Sequence, residues 1–206
     1  MAVRLEKQDS IAHVVLDRPP ANSYDKPFMD ELDAAIEEAG RDDAVKAILL
    51  RSANEKFFSA GADVSVFAKS GLDGQTAFVV CANEAMGKFE STPKVVLAAI
   101  NGHCLGGGLE MALCCDFRIA AEGSYRIGLP EVTLGLLPGT GGTQRLPRLI
   151  GRQKALDFML RGTTMPPQDA LAAGIVDEVV PAGEVLNRAP AGAHAHVTGA
   201  TSAIAA

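Results

Sequence analysis

The sequence predicts an α/β fold built from repeated strand and helix units, on three observations. A strand, an amphipathic helix and a second strand follow one another between residues 11 and 50. The apolar run Val95–Ile100 has the length and uniform character of a strand buried on both faces. Glycine-rich turns join later strands directly to helices. The 206 residues make one domain with at most an appendage, and a composition 48% hydrophobic and 21% charged supports a packed core and excludes general disorder. Nineteen Lys and Arg against 25 Asp and Glu give a net charge of -6 with no basic cluster, which argues against a nucleic-acid partner. The apolar run Val95–Ile100 is far short of the roughly 18 residues that a membrane span needs.

The first strand is expected at Ile11–Leu16, closed by Pro19-Pro20. Asp25-Lys26-Pro27 reads as a capped helix start, with Phe28, Leu32, Ala35, Ile36 and Ala39 at helical spacing and Gly40 as the stop. A strand follows at 45–50, then a turn-rich passage over 54–63. A second amphipathic helix is expected over about Thr76 to Glu90, with Phe78, Cys81, Ala82, Ala85, Met86 and Phe89 on one face. Pro93 resets the chain before the buried strand at 95–100. After Gly106-Gly107-Gly108 comes an apolar helix, Leu109–Cys115, then short strands at 117–120 and 125–128. Helices are expected over 142–150 and 152–161, a short one from Pro166 stopped by Gly174, and a last strand over 175–180.

The start of the chain lacks an apolar signal core, and no C-x-x-C pair occurs among cysteines 81, 104, 114 and 115. Cys114 and Cys115 read as core hydrophobes, which suggests a reducing, cytoplasmic setting. From Ala189 to Ala206 the chain carries no charged side chain and eight alanines, with no apolar face at either period; disorder is the expectation for this tail after a domain over 1–188. His194 and His196 alone are a weak metal signal, and no other ligand spacing is convincing.

Three features carry chemistry. The glycine run 106–108 lets a backbone approach a ligand closely, although a tight strand-to-helix crossover explains it too. Glu110 is a lone carboxylate in an apolar helical turn, either perturbed by lost water or simply placed near the helix start. Glu131, in Leu129-Pro130-Glu131-Val132, is again one carboxylate among apolar neighbours, or else an exposed loop residue. As a pair they suit the movement of protons or water at neutral pH. His103 is a weaker general-base candidate, Ser59 lacks the nucleophile-elbow context, and Asp116 with Arg118 reads as a structural pair or cap.

Phe58-Ser59-Ala60-Gly61-Ala62-Asp63, Ala98-Ala99-Ile100-Asn101-Gly102, Gly106-Gly107-Gly108-Leu109-Glu110 and Cys115-Asp116 together resemble the enoyl-CoA hydratase/isomerase (crotonase) family. Gly128 to Val132 and Pro138 to Leu146 reinforce this, and resemble the hydratase part of bacterial multifunctional fatty-acid-oxidation subunits; the motif match covers about Val3 to Val185. The resemblance implies a spiral of β-β-α units that binds acyl thioesters of coenzyme A as a homotrimer or hexamer, without metal or redox cofactor. It implies an oxyanion hole from the amides of Ala62 and Gly107, catalysis by Glu110 and Glu131, and substrate contacts from Ala60, Gly61, Ala62, Asp63, Gly106, Gly107, Pro130 and Gly139. Hydration of a 2-enoyl-CoA to a 3-hydroxyacyl-CoA is the reaction implied by two glutamates. Isomerisation or other enolate chemistry is the enzymatic alternative. A non-catalytic coenzyme A-binding subunit is the alternative suggested by a C-terminal region that departs from the family's helices.

Overall fold

The structure, a computed structural model, describes residues 1–189, apart from the side chains of 66 and 67. It has two sheets, six-stranded and four-stranded, which the chain visits in turn. β1 (Val3–Gln8) and β2 (Ile11–Leu16) form an antiparallel hairpin. β2 then pairs in parallel with β3 (Ala47–Ser52), which pairs with β5 (Val95–Ile100). β7 (Phe117–Ala121) and β10 (Glu178–Val180) continue the same sheet in parallel. The smaller sheet takes the next strand of each unit: β4 (Phe57–Ser59), β6 (His103–Leu105), β8 (Ile127–Gly128) and the antiparallel β9 (Thr164–Met165). This is the expected strand-strand-helix spiral.

Both faces of the large sheet are covered, which explains its near-continuous apolar strands. On β5, Val96, Ala98 and Ile100 join the core with α1 (Lys26–Arg41) and α3 (Leu72–Ser91), while Val95, Leu97 and Ala99 pack on the other face with Val185 and Ala189. Asp25 caps α1, its Oδ1 accepting from Phe28 N at 3.1 Å, and the helix buries Phe28, Met29, Leu32, Ala35, Ile36 and Ala39. Every apolar position expected on this helix is therefore buried.

The structure also adds and moves elements. β1 is a strand although Arg4, Glu6 and Lys7 make it look like solvated chain; only Val3 is fully buried on this edge strand. α2 (Val64–Lys69) and β6 were not expected, and α3 starts four residues before Thr76. α4 (Gly107–Leu113) begins two residues before Leu109, because Gly106 at φ 54° and ψ -128° makes the turn. Glu131–Leu134 is a 3₁₀ turn, followed by α5 (Gly142–Ile150), α6 (Arg152–Leu160) and α7 (Pro167–Ala172). Arg118 does not pair with the Asp116 carboxylate. It is buried, with Nη2 donating to Asp177 Oδ2 at 2.9 Å and Nη1 to Cys115 O at 2.7 Å, while Asp116 Oδ2 accepts from Val96 N. Ala189 is helical and buried, not disordered; the rest of the tail, with His194 and His196, lies outside the described residues.

Candidate active site

Glu110 and Glu131 are carried by α4 and by the 3₁₀ turn. Glu110 is 2% exposed. Its Oε1 accepts from the backbone amides of Thr140, at 2.9 Å, and Gly142, at 2.7 Å, while Oε2 is hydrogen bonded to the Thr140 hydroxyl. The carboxylate thus sits at the start of α5, where unpaired helix amides favour an anion. Burial pushes the Glu110 carboxyl above the usual carboxylate range; the Thr140 hydroxyl, the amides of Gly142 and Thr140, and Arg145 pull the other way.

Glu131 is the opposite case. Both carboxylate oxygens are buried without a hydrogen-bond partner among the described residues. Burial pushes it up to about 7 and the nearby Glu110 reinforces this; its own backbone N–H, close enough to oppose the shift, does not reach hydrogen-bond geometry with either oxygen. The Glu131 carboxyl is therefore partly protonated near neutrality. The carboxylate lies over Gly106, where a Cβ would come within 3.2 Å of Oε1.

The glycine run fits around these side chains. A Cβ on Gly107 would collide with the Tyr24 hydroxyl, and one on Gly108 with the Ser59 carbonyl. Gly61, at φ +88°, packs so that a Cβ would stand 2.7 Å from Gly107 N. Two strands of backbone, 60–63 and 106–108, therefore touch beside Glu131. Tyr24 pairs with Ala62 as in a parallel ladder, its N donating to Gly61 O and its O accepting from Asp63 N, each at 2.9 Å. In that pattern the N–H of Ala62 itself points away from Tyr24. Among the described residues neither the Ala62 nor the Gly107 amide donates to a backbone carbonyl.

The other expected residues fall around this centre. Ala60 N donates to Ala21 O, and Asp63 Oδ1 accepts from Ser65 N and its hydroxyl at the start of α2. Asp63 also lines a cavity of about 310 Å³ with Tyr24, Asp25, Lys26, Gly74 and Phe78. Pro130 O accepts from Thr133, and Gly139 O accepts from Asn83 Nδ2 at 3.0 Å, which ties this loop to α3. Ser59 is spent on structure, its hydroxyl donating to Asn22 O and accepting from Gly61 N. His103 stands apart, its Nδ1 accepting from Arg126 N and its ring against Phe57. A larger open concavity of about 480 Å³ is lined by Lys7, Glu37, Glu38, Arg41 and Asp42; Lys7 pairs there with Glu38 and Asp42. Its charges satisfy one another, and it holds neither glutamate.

Sequence reasoning missed Thr140, Gly142 and Tyr24. The glycines before α5 were the available signal for open amides, but nothing local links residue 24 to residue 140. Their hydroxyls lie 3.2 Å apart.

A spiral of β-β-α units that holds two carboxylates beside glycine-walled backbone defines a crotonase-type fold. The sequence profile of the enoyl-CoA hydratase/isomerase family matches residues 6–206, beyond the Val185 limit of the motifs. The chain is 39% identical over 203 residues to a short-chain-enoyl-CoA hydratase of Clostridium acetobutylicum, covering 98% of this chain and 77% of that one. An enoyl-CoA hydratase structure from Geobacillus kaustophilus superposes with a TM-score of 0.95 at 42% identity, over 99% of this chain and 77% of that one. Human mitochondrial delta3-delta2-enoyl-CoA isomerase gives 0.90 at 30% identity, over 100% and 83%. The chain belongs to the enoyl-CoA hydratase/isomerase family. Among its described residues no helix is long and apolar enough to cross a membrane.

Proposed function

We propose that this enzyme adds water to 2-enoyl-CoA thioesters to give 3-hydroxyacyl-CoA. The observation that carries the reading is the contrast between the two carboxylates: Glu110 held by three donors, Glu131 unpaired and poised at about 7. Glu110, as base, takes a proton from a water whose oxygen attacks C3. Glu131, as acid, delivers a proton to C2, and exchange with solvent returns both groups to their starting states. The amides of Ala62 and Gly107 would stabilise the enolate oxygen that forms on the thioester carbonyl. Ala60, Gly61, Asp63, Gly106, Pro130 and Gly139 would line the coenzyme A thioester. Hydration is redox-neutral and needs no metal or redox cofactor. A homotrimer or hexamer in a reducing cytoplasm completes the proposal, supported by exposed Leu134, Leu137 and Leu160 and by four free thiols.

Loss of the enoyl thioester absorbance with crotonyl-CoA measures the reaction. Glu131→Gln should reduce it by orders of magnitude while substrate still binds; near-normal turnover in that variant refutes the assignment. Rapid conversion of 3-enoyl-CoA with none of 2-enoyl-CoA would make the protein an isomerase instead.

A further inference from the structure

The hydroxyl of Thr140 lies between two buried groups, Glu110 Oε2 and Tyr24 Oη. Tyr24 is 1% exposed and Thr140 4%, so solvent does not serve either hydroxyl. We propose that Tyr24 and Thr140 form a directed hydroxyl chain that positions Glu110 as the charged member of the carboxylate pair: Tyr24 O–H donates to Thr140 Oγ1, and Thr140 O–H donates to Glu110 Oε2. This rests on the reading of Glu110 as the base.

The direction follows from counting protons. Thr140 has one hydroxyl hydrogen and two lone pairs. An ionised Glu110 is acceptor-only, so the hydrogen between Thr140 and Oε2 belongs to Thr140. Its oxygen can then only accept from Tyr24, and a buried tyrosine hydroxyl needs such a partner. The reverse chain, Glu110 to Thr140 to Tyr24, requires a protonated Glu110, which could not act as base. With the amides of Thr140 and Gly142 on Oε1, the carboxylate is held at both oxygens and its plane is fixed. Tyr24 ties this arrangement to the ligand-facing backbone, since its hydroxyl fills the space that a side chain on Gly107 would take. The other charged or titratable groups near Glu110 are Arg145 of α5, which is paired with Glu90 of α3, Glu131 on the 3₁₀ turn, and Cys114 after α4.

Thr140→Val keeps the shape and removes the hydrogen bond, Thr140→Ser restores it, and Tyr24→Phe removes only the outer donor. Two readouts apply: the pH profile of crotonyl-CoA hydration, and the titration of the Glu110 carboxyl followed by carbon NMR in the resting protein, assigned with Glu110→Gln. Losing a donor to the charged form raises the carboxyl midpoint. Thr140→Val should therefore move both the acidic limb of kcat and the NMR midpoint to higher pH, and lower kcat by roughly 10- to 100-fold with little change in KM. Thr140→Ser should bring both back, and Tyr24→Phe should shift them the same way by less. An unmoved midpoint in Thr140→Val, or a Thr140→Ser that behaves like it, overturns the proposal. If Thr140→Val does not fold, Tyr24→Phe decides by the same measurement. If the wild-type protein hydrates nothing, the functional reading fails while the carboxyl titration still decides the chain.

Discussion

Gly106 is the floor on which the Glu131 carboxylate rests. Its backbone, at φ 54° and ψ -128°, lies in a region closed to residues with a Cβ, and the added carbon would stand 3.2 Å from Glu131 Oε1 and 3.6 Å from Cδ. One residue thus makes the strand-to-helix turn and leaves room for the acid. Gly106→Ala should lower stability by about 1–3 kcal/mol through backbone strain. It should also cost more activity than the stability change explains, because it displaces Glu131. Denaturant melts beside hydration rates separate the two effects, and unaltered kinetics in a folded variant would contradict the placement.

The pH dependence follows from the two carboxyls. Glu131 acts as acid only while protonated, so hydration should fall as pH rises through about 7. Glu110 acts as base only while ionised, so the rate should also fall on the acidic side, giving a bell. The same upward shift affects folding. A carboxyl raised in the folded state favours that state at low pH, and the contribution is lost as pH rises from the ordinary carboxylate value of 4.5 through about 7. Glu131→Gln should therefore melt higher than wild type at pH 8, with the advantage shrinking towards pH 5. Thermal melts across that range check it; the opposite trend would mean that Glu131 is paired in solution.

What was legible in the sequence is what local physics determines. Asp25 and the spacing of Phe28, Leu32 and Ile36 specify α1, because a cap and a 3.6-residue stripe act within one element. Val95–Ile100 was readable to its last residue because both its faces are buried. Glu110 and Glu131 stood out as isolated carboxylates among apolar neighbours. The strands β6, β8 and β9 were hidden or blurred: they have two or three residues each and exist through pairing with distant chain. The same limit hid the partners of the site. Thr140 reaches Glu110 across 30 positions and Tyr24 across 116, and Arg118 finds Asp177 across 59 where Asp116 was the sequence neighbour.

That last pair holds β7 to the turn before β10. Arg118 is nearly inaccessible, and Asp177 Oδ2 accepts from both its backbone N, at 2.7 Å, and its guanidinium. Asp177→Ala removes the only carboxylate that faces this cation among the described residues, but leaves the carbonyls of Cys115 and Ile175 as acceptors. The expected loss is about 2 kcal/mol, less than for an ion pair stripped of every partner. Asp177→Asn should recover part of it by keeping an acceptor. Equal losses in the two variants would show that the charge, not the hydrogen bonds, carries the contact.

Acyl-chain preference should depend on Phe78. Its ring stacks on Tyr24 with centroids 6.0 Å apart, and both rings line the cavity of about 310 Å³ that also touches Asp63. Tyr24 cannot be trimmed without disturbing Thr140, whereas Phe78 carries no hydroxyl and so has no part in that hydrogen-bonded chain. Phe78→Ala should widen the cavity and leave the glutamates in place. Because each methylene placed in an apolar pocket changes specificity by about 1–3 kcal/mol, the ratio of kcat/KM for a ten-carbon over a four-carbon enoyl-CoA should rise by roughly tenfold or more. The four-carbon substrate should lose affinity with little loss in kcat, since it no longer fills the widened space. A panel of chain lengths measured on both proteins tests this; an unchanged ratio would place the acyl tail elsewhere.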